Sequence, residues 1–303
     1  MKALVIGCGS IGSRHADWLS DLGCQVSVVS GRDQVPYPVY PSIEAACQGG
    51  PYDYTVIATS TSDHYMSVNT LALHEFNGIL LVEKPLFHTV KSLPEHAFQS
   101  VFVAYNLRFH PIVLKLRELL ENEKVLSVQV YVGQYLPEWR PLNDYRQSYS
   151  ASKFAGGGVL RDLSHELDYI TWILGGWKST VAVGGHYSRL EIDSDDVFGI
   201  MLQTDHCPVV NIQLNYLDRK SRRELIINTN NATIKADLIL NTLEMNKDIY
   251  SFEMERDYTY RTLHRSLLQG KHDVACTAKE GLDVLHLIEA VEMSAQRKVW
   301  VDR

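Results

Sequence analysis

Three clusters in the sequence carry residue types whose spacing could do chemistry. The first is Gly7-Cys8-Gly9-Ser10-Ile11-Gly12, between an apolar run and a helical pattern. Glycines so spaced make a phosphate cradle. Gly7 permits a tight turn, Gly9 lets backbone approach a pyrophosphate, and Gly12 lets a helix sit against a strand. The helix N-terminus, at Ser10 and Ile11, then presents N–H groups and a positive dipole to anionic oxygens. The second cluster is Glu83-Lys84-Pro85, directly after the apolar run 79–82. Pro85 restricts the backbone of Lys84 and aims a cation at the carboxyl edge of a sheet, where open α/β sheets bind ligands. The third is Asp162, His165 and Asp168, spaced by three in the stretch 160–174 that reads as one helix. A carboxylate then stands one turn away on either side of the imidazole, orienting it and raising its basicity. An imidazole, with a reference pKa near ~6.5, suits removal of a hydroxyl proton as hydride departs. A lysine ammonium suits stabilisation of the negative charge developing on the same oxygen. No metal is expected, because steps of three drift around a helix and hydride transfer beside a lysine needs no Lewis acid.

The second strand ends Val29-Ser30-Gly31-Arg32. An acidic residue at its end would hold a ribose 2′-hydroxyl and repel a 2′-phosphate. Ser30 is neutral and small, and Arg32 can clamp a 2′-phosphate with two parallel N–H groups. Asp33 offers an alternative ribose ligand. NADP(H) is therefore the preferred cofactor, with NAD(H) possible.

The elements that must position these residues follow from periodicity. Apolar runs at 3–6, 26–29, 54–58, 79–82 and 101–104 alternate with helical patterns at 11–22, 43–47 and 64–74, with Ser42 a candidate N-cap. This rhythm predicts a Rossmann-type doubly wound parallel sheet, covered on both faces. Residues 86–100 leave room only for a turn or a short 3₁₀ piece. Beyond about residue 122 the pattern alternates with period two, at 127–132, 181–187, 197–203, 209–216, 223–228, 232–236 and 249–254, with a hairpin turn at 229–231. Helices are expected at 258–269 and 277–297. The architecture read from this is an α/β nucleotide-binding domain, residues 1–120, followed by an α+β domain, residues 121–303, with an open, mainly antiparallel sheet.

Lys plus Arg number 29 and Asp plus Glu 36, a net charge of −7, which speaks against a nucleic-acid partner. No apolar run approaches the ~18 residues of a membrane span. The N-terminus does not read as a signal peptide. Five cysteines, none at C-x-x-C spacing, fit a reducing cytoplasm and no disulfide scaffold.

In their order, these motifs resemble the glucose–fructose oxidoreductase/inositol dehydrogenase family, Gfo/Idh/MocA. The likeness is carried by residues 7–15, Ala58-Thr59-Ser60-Thr61-Ser62-Asp63-His64, Val82-Glu83-Lys84-Pro85, Tyr105-Asn106-Leu107-Arg108-Phe109-His110-Pro111, and residues 156–168 from Gly156 to Asp168. The resemblance implies hydride exchange between a nicotinamide and a sugar-like alcohol or ketone. It implies Lys84 as the active-site lysine and His165 as the active-site histidine, with Asp162 beside it. It implies Thr59, Thr61 and His64 along the nicotinamide side with Glu83, and Asn106, Arg108 and Asp168 toward the substrate. Asp162 stands three residues before His165 where four are expected, the 86–100 connection is short, and the chain is compact for the family.

Tyr131, Tyr135, Trp139, Arg140, Tyr145, Arg146 and Tyr149 form an aromatic and arginine-rich stretch suited equally to sugar stacking or to a subunit interface. An open sheet rarely stays bare, so a homodimer or homotetramer through the C-terminal sheet is expected. Two other classes of function remain open. One is a non-catalytic NADP(H)-sensing regulator. The other keeps the cofactor but reduces imines, or cleaves glycosides through transient oxidation.

Overall fold

A computed structural model describes residues 1–32 and 34–303. Asp33, the alternative ribose ligand, lies outside the described residues. The chain forms two compact units. The first comprises Met1–Phe109 and Asp257–Leu285, the second His110–Arg256 and His286–Arg303. The sequence reading placed one boundary, near residue 120. The described chain crosses at Phe109/His110 instead, and Asp257–Leu285 joins the first unit because its helix buries Leu263 and Leu267 in that unit's core.

In the first unit, β1 (Lys2–Ile6), β2 (Gln25–Val29), β3 (Val39–Tyr40), β4 (Tyr54–Ile57), β5 (Ile79–Val82) and β6 (Ser100–Val103) are all parallel, in the order β6-β5-β4-β1-β2-β3. β15 (Cys276–Thr277) adds to β6 antiparallel. β4 and β5 are buried at every position, as strands covered on both faces must be. Helices α1 (Ser10–Asp21), α2 (Ile43–Gln48) and α3 (His64–Leu73) make the crossovers. Ser42 caps α2, its hydroxyl accepting the Ala45 N–H at 3.2 Å. Residues 86–100 are bends without a helix. α7 (Tyr258–Leu268) packs its Leu263 and Leu267 with Ala16, Leu19 and Tyr54.

In the second unit, nine strands form one sheet in the order β14-β13-β12-β11-β7-β10-β9-β8-β16. These are β7 (Val125–Gly133), β8 (Trp177–Gly185), β9 (Val197–Thr204), β10 (Val210–Asn215), β11 (Arg222–Thr229), β12 (Thr233–Asp237), β13 (Thr242–Met245), β14 (Asp248–Ser251) and β16 (Val301–Asp302). All neighbours are antiparallel except β7 and β10. Period two holds along β9, which buries Phe198, Ile200 and Leu202 and exposes Met201. α4 (Pro111–Leu120), for which the sequence reading had no element, opens with Pro111 at its first position and a histidine cap: His110 Nδ1 accepts the Ile112 N–H at 3.2 Å.

The helix expected over 160–174 is two helices, α5 (Val159–Asp162) and α6 (His165–Leu174). Leu163 leaves helical geometry (φ −98°, ψ 25°), and the chain bridges the break with the Ser164 N–H on the Arg161 carbonyl at 3.3 Å. Asp162 therefore ends one helix and His165 begins the next, so the regular one-turn spacing expected between them does not hold. α8 (Ala278–Arg297) closes the chain before β16.

Candidate functional sites in the two units

In the first unit the turn after β1 is held tightly. The Gly7 N–H donates to the Val29 carbonyl at 3.0 Å, and Gly7 has φ +90°. A Cβ on Gly12 would lie 1.8 Å from the Gly7 carbonyl oxygen, so the close approach of α1 to the turn requires glycine. Around Gly9, by contrast, nothing lies within 4 Å of a Cβ position. Gly9 is the N-cap of α1 and lends no side chain to it, so the first-turn N–H groups at Ser10 and Ile11 face the turn rather than a capping oxygen.

This turn opens on a cleft of about 540 Å³ lined by Gly7, Cys8, Gly9, Ser30, Arg32 and Thr59, among others. The structure thus brings together five of the residues expected to hold a dinucleotide. Thr59 Oγ1 is buried with no hydrogen-bond partner among the described residues, an acceptor and donor waiting for a ligand. Ser30 Oγ accepts the Arg32 N–H at 3.0 Å and so ties the loop after β2. These features fit a dinucleotide: a wide-open glycine over a helix N-terminus, an orphan hydroxyl, and a cation at the far end. Ser42 and Glu44 also line the cleft and were not assigned to it from sequence. The Ser42 hydrogen bond, then the backbone N–H of Glu44, holds the Glu44 carboxyl below the usual carboxylate range. Helix capping already explained Ser42, and nothing in the sequence around Glu44 pointed to the cleft.

Thr61 and His64 sit in the connection after β4, both buried. The His64 ring is engaged with backbone: Nδ1 with the carbonyls of Pro85 (3.1 Å) and Leu86 (3.2 Å), and Nε2 with that of Thr59 (3.3 Å). Burial pushes this imidazole below its ordinary value despite those carbonyls. His64 therefore ties the Thr59 loop to the residues after Lys84.

Glu83 ends β5 almost fully buried. Its Oε1 accepts from His15 Nε2 at 2.8 Å and its Oε2 accepts the Lys84 backbone N–H at 3.1 Å. Burial pushes the carboxyl up, but the His15 hydrogen bond and the charges of His15 and Lys84 outweigh it and hold Glu83 low. Asn106 and Arg108, expected toward a substrate, are both buried. Asn106 Nδ2 donates to Thr259 Oγ1 at 2.6 Å, and Arg108 Nη1 pairs with Glu280 Oε1 at 2.9 Å. Both fasten the segment after β6 to the returning segment of the chain.

In the second unit, Asp162, His165 and Asp168 are all buried. Asp162 Oδ2 accepts the Tyr216 hydroxyl at 2.6 Å, and Trp139 stands edge-on to that phenol with ring centroids 5.2 Å apart. Burial and the neighbouring Asp162 carboxylate push the Tyr216 phenol well above its ordinary value, so it stays a donor toward that carboxylate. A side chain on Gly157 would collide with the Tyr149 carbonyl, so the glycine run lets α5 start against residues 149–150. Asp195 Oδ2 accepts the Leu160 N–H at 3.2 Å at the start of α5. Burial raises its carboxyl to about 6; Leu160 and Arg161 pull it down, and Glu292 and Asp162 push it up. In the first turn of α6, Glu166 is fully buried and faces Arg223 Nε of β11 at 3.1 Å, locking the helix onto the sheet. Tyr216, Asp195 and Glu166 were not singled out from sequence, because their roles depend on strands far along the chain. No group of three or more His, Cys, Asp or Glu side chains among the described residues is arranged to hold a metal ion. No helix among them is long and apolar enough to cross a membrane.

A family model described as the C-terminal alpha/beta domain of an oxidoreductase family, Gfo/Idh/MocA, matches residues 117–302. Among solved structures, GenD2 from gentamicin A biosynthesis in complex with NAD is 20% identical with a TM-score of 0.83, covering 100% of this chain and 96% of its own. The WlbA dehydrogenase from Bordetella pertussis, in complex with NADH and UDP-GlcNAcA, is 18% identical with a TM-score of 0.83, covering 100% and 97%. A levoglucosan dehydrogenase in complex with NADH is 15% identical with a TM-score of 0.84, covering 100% and 98%. At these identities the likeness is one of fold. No curated protein sequence matches the chain.

Proposed function

The chain belongs to the Gfo/Idh/MocA oxidoreductase family, and on that premise we propose that it transfers hydride between a nicotinamide dinucleotide and a hydroxyl or ketone carbon of a sugar, sugar nucleotide or polyol. The observation that carries the proposal is the first unit's cleft: the Gly7–Gly12 turn, the orphan Thr59 hydroxyl and Arg32 all border it. The relatives of known structure support the same chemistry, since they were solved with NAD or NADH and, for WlbA, with a nucleotide sugar.

Gly7, Gly9, Gly12 and the N–H groups of Ser10 and Ile11 hold the pyrophosphate. Ser30 and Arg32 take the adenosine ribose, with Arg32 on a 2′-phosphate, so that NADP(H) is the preferred form. Thr59 and Thr61 border the nicotinamide, and His64 and Glu83 hold that wall in place. The dinucleotide, when bound, supplies the carbon that accepts or gives hydride. Lys84 hydrogen-bonds the substrate oxygen and stabilises negative charge on it. His165 takes the hydroxyl proton in oxidation and returns it in reduction. Asp162, oriented by the Tyr216 hydroxyl, stands at the end of α5 before His165, and Asp168 contacts substrate or orients His165. Asn106 and Arg108 act on the substrate indirectly, by fixing the segment after β6. The second sheet's outer face, where Val183 and Met201 are 71% and 43% exposed beside a groove of about 450 Å³, seats a second copy of the chain. Five free thiols suit a reducing compartment, the cytoplasm.

The test is absorbance at the reduced-nicotinamide band with NAD⁺ or NADP⁺ and a panel of sugars, inositols, sugar acids and nucleotide sugars. The expected result is growth with one compound class and loss of turnover in Lys84→Ala and His165→Ala, both still binding cofactor. Arg32→Ala is expected to raise the KM for NADP⁺ and leave that for NAD⁺ unchanged. Turnover retained in both Lys84→Ala and His165→Ala sinks the site assignment. A panel flat in both directions, with cofactor still bound tightly, replaces the reading by that of a cofactor sensor.

A further inference from the structure

Behind Glu83 lies a row of buried polar side chains that the hydride-transfer chemistry does not use. Glu83 Oε1 meets His15 Nε2 at 2.8 Å, His15 Nδ1 meets His264 Nε2 at 2.8 Å, and His264 Nδ1 meets the Tyr54 hydroxyl at 2.9 Å. His15, His264 and Tyr54 are each 0% exposed, and Glu83 is 7% exposed. All four belong to the first unit, on β5, α1, α7 and β4. Rings pack edge-on along the row: His15 against His264 at 5.0 Å and His264 against Tyr54 at 5.7 Å.

Hydrogen-bond accounting gives the row a direction. With Glu83 accepting, His15 carries its proton on Nε2 and offers a bare Nδ1. His264 then donates from Nε2 and accepts at Nδ1 from the Tyr54 hydroxyl. Every proton along the line is accepted, and the bare nitrogen of each ring accepts one. In the reverse arrangement the Tyr54 proton has no acceptor among the described residues, a penalty buried sites avoid. The row ends at Tyr54, inside the core, so it cannot carry protons to solvent. What it can do is hold one carboxylate in one protonation state and one orientation.

We propose that His264 is a positioning residue for the reaction at Lys84: through His15 it fixes the proton and the orientation of Glu83, whose other oxygen holds the Lys84 backbone N–H. The inference rests on the oxidoreductase reading above. Buried polar networks that are fully satisfied rigidify what they touch, and here the touched group is the residue before the active-site lysine. Burial pushes His264 well below the ordinary histidine value, which agrees with a neutral ring that both donates and accepts. The charged and titratable groups facing the row are Lys84 and His64 beside Glu83, Tyr260 on α7, edge-on to His15 at 5.5 Å, and Cys24 toward Tyr54. Because His264 is 249 residues from His15 in sequence, the lysine's support depends on the chain segment that returns to this unit after the second sheet.

The test compares wild type, His264→Phe and His264→Gln, the last keeping an N–H donor toward His15. Ring nitrogen NMR of ¹⁵N-histidine protein, free of substrate, is expected to show both rings protonated on Nε2, with the His15 signals moved in His264→Phe and restored in His264→Gln. Displacing an active-site group by an ångström costs about a hundredfold in rate, so kcat is expected to fall about ten- to a hundredfold in His264→Phe while the cofactor Kd stays within about twofold. His264→Gln is expected to recover most of kcat. A purely structural role would lower thermal stability, kcat and cofactor affinity together, with no rescue by glutamine. An Nδ1 proton on either ring in wild type, or an unchanged kcat in His264→Phe, overturns the proposal. A wild type that turns over nothing fails the oxidoreductase reading instead, and the NMR measurement then still decides whether the row exists.

Discussion

Replacing Gly12 with alanine asks whether the distance between α1 and the turn after β1 is what the dinucleotide needs. The new Cβ would lie 1.8 Å from the Gly7 carbonyl oxygen and 2.9 Å from its carbon, against a working minimum of 3.0 Å. Helix and turn must therefore separate by more than roughly 1 Å. The obstacle is backbone, and Gly7 has little freedom to retreat. Its N–H is held by Val29, and a Cβ at Gly7 would itself meet the Ala58 carbonyl at 2.7 Å. The displacement falls on α1, which buries His15, Ala16, Trp18 and Leu19. Overpacking of this kind costs about 1–3 kcal/mol. For a chain of this size that lowers Tm by between about 2 and 12 °C. Binding should suffer more than stability, because the phosphate contacts come from the first-turn N–H groups that have to move. Loss of two such charge-assisted bonds, at about 1.5–3 kcal/mol each, weakens the cofactor by at least about a hundredfold. The assay is fluorescence titration of the reduced dinucleotide beside a thermal melt. Binding within about twofold of wild type would refute the reasoning, since phosphates would then not depend on the cradle at all.

If the outer face of the second sheet seats another copy, Val183→Glu with Met201→Glu is expected to convert the assembly to monomer in light scattering; an unchanged mass rules that face out. Stability should also carry two opposed pH dependences within the second unit. Burial pushes His110 down to about 4 from 6.5, so its contribution is complete above pH 6.5 and is lost as pH falls through 4. Asp195 is raised to about 6 from 3.8, so its contribution is complete below 3.8 and is lost as pH rises through 6. At about 1.4 kcal/mol per pKa unit each amounts to about 3 kcal/mol. Denaturant titrations at pH 4 to 7 are expected to show Asp195→Asn gaining on wild type as pH rises and His110→Asn gaining as pH falls; profiles parallel to wild type would remove both groups from the balance.

Those elements that a short window of sequence can specify were readable before the structure. Five strands of the first sheet, β1, β2, β4, β5 and β6, announce themselves as apolar runs, and their parallel arrangement and the placement of Gly7, Gly9 and Gly12 follow from them, whereas the two-residue β3 and β15 leave no such signal. Elements that depend on a less usual device were not. α4 starts on a histidine cap whose Nδ1 serves as the acceptor, a role normally signalled by Ser, Thr, Asp or Asn. β13 lies between Asn241 and Asn246, both at positive φ, so it is too short for period two to emerge. The break at Leu163 is invisible in a stretch whose composition is helical throughout.

The site divides along the same line. Residue types named the phosphate cradle and the Glu83-Lys84 pair, because their chemistry is local. Whether a polar side chain meets solvent or another side chain is a long-range fact, and it changed the meaning of several residues. The resemblance places Asn106 and Arg108 toward the substrate, yet Thr259 and Glu280 meet them from more than 150 positions away. His15 reads as one position on an amphipathic helix, yet it stands between Glu83 and His264. His64 reads as a wall of the nicotinamide site, yet its ring is tied to three carbonyls. In each case a buried polar group must be satisfied by whatever the fold brings to it. For His15, Asn106 and Arg108 a partner comes from α7 or the start of α8, which sequence order would assign to the other domain. The first unit is therefore a nucleotide-binding sheet whose polar interior is completed by a segment from the last sixth of the chain, and a truncation before Asp257 would remove His264, Thr259 and Glu280 from His15, Asn106 and Arg108 together.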